Sequence, residues 1–186
     1  MVDARIAQTQ SVLAIAILDL ASERPISEIS VSDITRAANI NRATFYNHYG
    51  SVGALLASVI SLELDEIREA DHVLHGRAEL TQEDIARRAV GATIALVERH
   101  RRVFELALLD SRDIALHRAL AAHFEISVRQ HLENWATPTP VTDTTIIARF
   151  VGGGIVGAIE GWLASPPMST EQVTDAIMES MPRWWH

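Results

Sequence analysis

SVSDITRAANINRATFYNHYG, residues 30–50, reads as two short helices joined by a tight turn. Ser30 is placed to cap the first helix, with Asp33 three residues on in a capping-box spacing. Val31, Ile34 and Ala38 recur at helical spacing and make one apolar stripe, which stops at Ala38. Asn39 then falls where a positive φ ends a helix, a conformation that Asn tolerates. Ile40 fills the angle between the helices, and Asn41 is in position to cap the second one. Phe45 and Tyr49 belong to the inner face of that second helix, which leaves Arg42, Thr44, Tyr46, Asn47 and His48 outside or at the rim. This is helix-turn-helix geometry, in which the second helix enters the major groove of DNA. Arg42 and Asn47 are the candidates for base edges, since Arg reads guanine and Asn reads adenine. Ser30, Thr44 and Tyr46 are the candidates for phosphates, and His48 completes the face.

Working outward, the rest of the chain reads as helix almost throughout. Residues 5–22 place Ile6, Leu13, Ile17 and Leu20 on one side, and Pro25 ends that helix. A fourth helix is predicted over 51–70, followed by a loop over 71–80 that holds His72 and His75. Thr81 with Asp84 opens another helix to about His100, and short and long helices follow over 101–110 and 113–135. The TPTP run at 137–140 is a break. A helix from Thr142 or Asp143 to about Ser165 stops at Pro166 and Pro167, and Ser169 caps a last one through about Met181. The fold class is therefore all-α with about nine helices. The expected domains are a helix-turn-helix head over 1–50 and a second helical domain over 51–186, begun by a linking helix at 51–70.

Composition narrows the function. At 186 residues there is room for one or two helical domains with a core. There is no cysteine, which excludes disulfides and thiolate metal sites. The N-terminus shows neither a basic stretch nor an apolar one of signal type, so the expected location is cytoplasmic. The net charge is −8, and residues 1–60 hold four Arg against five acidic residues, so nonspecific attraction to DNA is expected to be modest. No GxSxG, P-loop, HExxH or post-strand GxGxxG occurs, and the reading is of a non-enzymatic protein with no catalytic residue and no cofactor. His117 and His131 are about 21 Å apart along a helix, and no metal site is expected.

IIARFVGGGIVGAIEGWL, residues 146–163, is the second informative stretch. Gly153, Gly157 and Gly161 recur at four-residue spacing in a helix whose stability each of them lowers by about 0.5–1 kcal/mol relative to Ala. They predict a close-packed face against a second copy of the chain. A membrane span is set aside on length, because only residues 150–159 are free of charge while a span needs ~20 apolar residues.

Residues 30–49 also resemble the pattern T-V-x-D-I-A-x-x-A-G-V-S-x-G-T-L/F-Y-x-H-F of TetR-type transcriptional regulators, without a gap. The matches are Val31, Asp33, Ile34, Ala38, Ile40, Thr44, Phe45, Tyr46 and His48. Asn39, Asn41 and Ala43 stand where the pattern has Gly, Ser and Gly, and Val52 stands where the family usually carries a Lys. The resemblance implies a homodimer, a palindromic double-stranded DNA operator, and a repressor released by a small-molecule effector held in the second domain. Phe104, Leu108, Phe124, Trp135, Phe150 and Trp162 are the candidate apolar lining, and Arg112, His117, His123 and His131 the candidate polar contacts. The lining residues suit an apolar or aromatic effector. The alternative is a helix-turn-helix-derived protein-interaction module with weak or no specific DNA binding.

Overall fold

The computed structural model describes residues 2–74, 79–108, 110, 114–133, 143–165 and 168–182. Among them the chain forms nine α-helices, one short 3-10 turn (Ile26–Glu28) and no strand. The helices are α1 (Val2–Glu23), α2 (Val31–Ala37), α3 (Arg42–His48), α4 (Val52–Leu74), α5 (Gln82–Arg99), α6 (Arg101–Leu108), α7 (Ala115–Glu133), α8 (Thr144–Leu163) and α9 (Thr170–Glu179). The TPTP run, Trp135, Arg112, His75, Pro166 and Pro167 lie outside the described residues. Helix α4 continues to Leu74 rather than ending near Ala70, so His72 is helical. The apolar spacing at Ile67 and Leu74 carries the helical pattern past residue 70.

Two compact units result, and they do not follow a single cut in the chain: residues 1–60 join 100–119, and 61–99 join 120–186. In the first unit α1 packs on α2 and α6, and α2 on α3. Its core is built from Leu13, Ile17, Ile34, Phe45, Leu55, Phe104 and Val103, all fully or almost fully buried. Ile6, expected on the buried side of α1, is exposed. In the second unit α5 packs on α9 and α8 on α9. Arg87 of α5 pairs with Asp175 of α9, and Glu125 of α7 is bridged by Arg129 and by Arg149 of α8.

Helix α8 is long and apolar enough, by length and composition, to cross a bilayer, so the length argument made from its charge-free stretch does not hold. The flanking Arg149 and Glu160 interrupt the apolar run without shortening the helix. Its buried face, Ala148, Val151, Gly152, Ile155, Val156, Ile159, Trp162 and Leu163, is used as a core helix uses it. Gly152 is where the backbones come close. A Cβ there would lie 3.1 Å from Phe124 Cβ and 3.1 Å from the Glu125 backbone N of α7.

Candidate DNA interface and effector cavity

The reading head is built by local hydrogen bonds. Ser30 Oγ accepts from the Asp33 N–H at 3.2 Å, and Asp33 Oδ2 accepts from the Ser30 N–H at 3.0 Å, closing the capping box that starts α2. The Ser30 hydroxyl also donates to Asp33 Oδ2 at 2.7 Å, so a phosphate would have to compete for that proton. The hydroxyl and backbone N–H of Ser30, with Arg24 (3.2 Å) and Arg36 (3.5 Å) beside it, hold the Asp33 carboxyl below its ordinary pKa. The one acidic side chain between Ser30 and Tyr49 is thus tied to two guanidinium groups. At the turn Asn39 takes a φ of 52°, the only positive φ among the described non-glycine residues. The Ile40 N–H reaches back to the Thr35 carbonyl at 3.0 Å.

Asn41 starts α3 by accepting from the Thr44 N–H. Phe45 is completely buried and fixes the helix against the head, while Arg42, Tyr46 and Asn47 are exposed and Thr44 and His48 half-buried. Tyr46 is 52% exposed and meets the Phe45 ring edge-on at 5.4 Å, which places it on the outer surface rather than beneath the turn. The Arg42 guanidinium leans on the Ser32 hydroxyl at 3.4 Å. The solvent face of α3 therefore carries a guanidinium, a phenol and a carboxamide on a helix whose inner side is locked. Val52, which stands where the TetR-type pattern usually has a Lys, is 8% exposed and belongs to the core at the start of α4.

Within the second unit, the residues proposed as one lining are divided between two places. Phe104 and Leu108 belong to the first unit. Phe124 lines a cavity of about 50 Å³ within the second unit, between α4, α5, α7, α8 and α9. Phe150 and Trp162 line a different, open groove of about 590 Å³ between α8 and α9, where Phe150 is 72% exposed and the Trp162 indole donates to the Met168 carbonyl at 3.2 Å. Gly153, Gly157 and Gly161 are exposed, and a Cβ on any of them would meet nothing within 4 Å. Among the described residues, nothing of this chain packs against these three glycines.

The cavity also has polar members that the sequence reading did not assemble: Arg68, Asp71, Thr93 and Ser127 beside His123 and His131. A legible signal existed, since 123, 127 and 131 repeat every four residues on one face of α7. His117, in contrast, is exposed and falls in the first unit.

An all-helical chain whose locked turn presents a polar seven-residue helix is a helix-turn-helix protein. Residues 16–59 match the model of the bacterial regulatory proteins of the tetR family. The HTH-type transcriptional regulator YxbF of Bacillus subtilis is 42% identical over 73 residues, which are 39% of this chain and 19% of that protein's length. Over nearly the whole chain the fold is that of solved regulators. The fatty acid degradation regulator FadR of Bacillus halodurans aligns with a TM-score of 0.64 at 13% identity, covering 93% of this chain and 96% of that one. A TetR transcriptional regulator from Streptococcus agalactiae aligns with a TM-score of 0.60 at 22% identity, covering 95% of both chains. The likeness to the tetR family model lies in residues 16–59, the part of the chain that holds the helix-turn-helix.

Proposed function

We propose that this chain is a cytoplasmic, homodimeric transcriptional regulator that represses from a palindromic operator and is released by a small, mostly apolar effector. The observation that carries the reading is α3: Phe45 is wholly buried while Arg42, Tyr46 and Asn47 face solvent, so the helix is held rigidly with its hydrogen-bonding side chains outward. Arg42 and Asn47 serve base edges, and Tyr46, Thr44, Ser30 and His48 hold or flank phosphates. Two-fold symmetry of the protein matches two-fold symmetry of the DNA, and the exposed glycine face of α8 with the adjoining α8–α9 groove supports a second copy as its occupant. The cavity of the second unit supports an effector site, and an effector acts by favouring a dimer whose heads no longer match the operator spacing.

A gel shift with duplex from the region upstream of the chain's own gene tests this. A discrete complex that survives excess unrelated duplex is the expected outcome. Binding that the unrelated duplex removes equally well overturns the regulator reading in favour of a protein-interaction module.

A further inference from the structure

The cavity of the second unit holds a side chain with an unmet requirement. His123 is 6% exposed, and among the described residues its Nδ1 is buried without a hydrogen-bond partner. Its Nε2 lies 3.4 Å from the Ser127 hydroxyl, one helical turn away on α7. A buried polar atom without a partner is costly, and ordinarily water or a ligand satisfies it. Ile67, Val90, Phe124, Val128, Ile155 and Met178 give the cavity an apolar wall beside its polar members.

We propose that this cavity binds a neutral, ring-sized apolar molecule bearing one hydroxyl group, which hydrogen-bonds to Nδ1 of His123. The proposal rests on the reading of this cavity as the effector site. A hydroxyl suits the site because it both donates and accepts, and so satisfies Nδ1 in either imidazole tautomer. A carboxylate does not suit it. Burial, with the positive charge of Arg68 nearby, keeps the His123 ring neutral at pH 7. Arg68 is already paired with Asp65 at 2.8 Å, and Asp71 adds another acidic group to the lining. Among the described lining residues, no unbalanced positive charge remains to compensate a desolvated anion. A volume of about 50 Å³ holds only a small ligand, and a ring requires Met178 and Met181, whose unbranched side chains repack readily, to give way.

Phenol, toluene and benzoate are probes of nearly one shape that differ in this single group. Calorimetric titration of the full chain at pH 7 is expected to give phenol about tenfold tighter than toluene, the worth of one net hydrogen bond, with benzoate weakest. In His123→Leu the phenol advantage disappears while toluene still binds. Should that variant fail to fold, nitrogen-15 spectra of the wild-type histidines supply the second readout: phenol shifts the His123 Nδ1 signal and toluene leaves it in place. Equal affinity for phenol and toluene, a preference for benzoate, no binding of any probe, a phenol preference that survives in a folded His123→Leu, or an unmoved Nδ1 signal each overturns the assignment. The gel shift separates this from the parent reading. A chain that shifts its operator and binds no probe loses only the cavity assignment, and one that binds phenol through His123 but no duplex loses only the regulator reading.

Discussion

Asn41 Oδ1 accepts twice from a single residue, from the Thr44 N–H at 2.7 Å and from the Thr44 hydroxyl at 3.0 Å. Helix α3 has seven residues, too few to hold itself together, so its start depends on this cap and its inner side on Phe45. Asn41→Ala is expected to lower stability by about 1 kcal/mol. It should weaken binding to every duplex, because the reading helix loses its fixed start. Asn41→Ser keeps an acceptor and should recover most of both. Urea unfolding with an unchanged slope, alongside anisotropy titrations, checks this; an alanine variant with wild-type midpoint and wild-type DNA affinity refutes it.

Arg42 and Asn47, the residues proposed for base edges, are exposed on that capped helix. Arg42→Ala is expected to weaken operator binding by roughly 1–3 kcal/mol and to relax the preference at one base position, with far less effect on a shuffled duplex. Equal losses on operator and shuffled DNA would make Arg42 a phosphate contact instead.

Two glycines of α8 five residues apart should behave oppositely. A Cβ added at Gly152 would lie 3.1 Å from Phe124 and the α7 backbone, whereas one added at Gly157 meets nothing among the described residues within 4 Å. Gly152→Ala is therefore expected to destabilise the folded chain by about 1–3 kcal/mol. Gly157→Leu should leave the protomer folded and drive dimers to monomers. Sedimentation with far-ultraviolet melting distinguishes them, and a Gly157→Leu dimer with wild-type dissociation would remove this face from the interface.

These contrasts mark what the sequence could show. The caps at Ser30 and Asn41, the positive φ at Asn39 and the buried Phe45 are local consequences of residue type, and they were legible within a few residues. The helix spacing was legible for the same reason. The grouping of Phe124 apart from Phe150 and Trp162 was not, because it depends on which faces of α5, α7, α8 and α9 come together over long sequence separations. Gly152, not the periodic Gly153, Gly157 and Gly161, makes the close approach inside the chain, and periodicity along one helix carries no information about the neighbour on each side.

Val52 is a case where tertiary context changes the expectation. At 8% exposure it belongs to the core of the first unit, and Val52→Lys would bring a cation into that core or expel the side chain from it. The expected result is a loss of roughly 1–3 kcal/mol, in the range typical of core substitutions, and a lower melting temperature. The log–log salt slope of DNA binding should not change. A slope steeper by about one unit per subunit with unchanged melting would show that the new ammonium snorkels to a phosphate and that the packing here is dispensable.

Acid should destabilise the second unit through His123. Burial, then the charge of Arg68, lowers its pKa from 6.5 to about 4, against an opposing pull from Asp65; Asp71 and His131 share the cavity. Between those two pH values the unfolded chain holds a proton at this site that the folded chain does not, so folding stability falls as pH drops from 6.5 toward 4. The loss across that window is up to about 3 kcal/mol, from 1.36 kcal/mol for each pKa unit. The carboxylates of Asp33 and Asp84, whose pKa values are lowered by their cap hydrogen bonds, contribute in the opposite range: their stabilisation is present above 3.8 and is lost only as pH falls below it. His123→Phe should therefore flatten the stability profile between pH 6.5 and 4 while leaving the steep fall below 3.8 intact. Urea midpoints measured at half-unit steps of pH decide it. A wild-type profile already flat across the upper window, or a variant that retains the slope, would mean that His123 titrates freely and that its burial does not exclude the charged form.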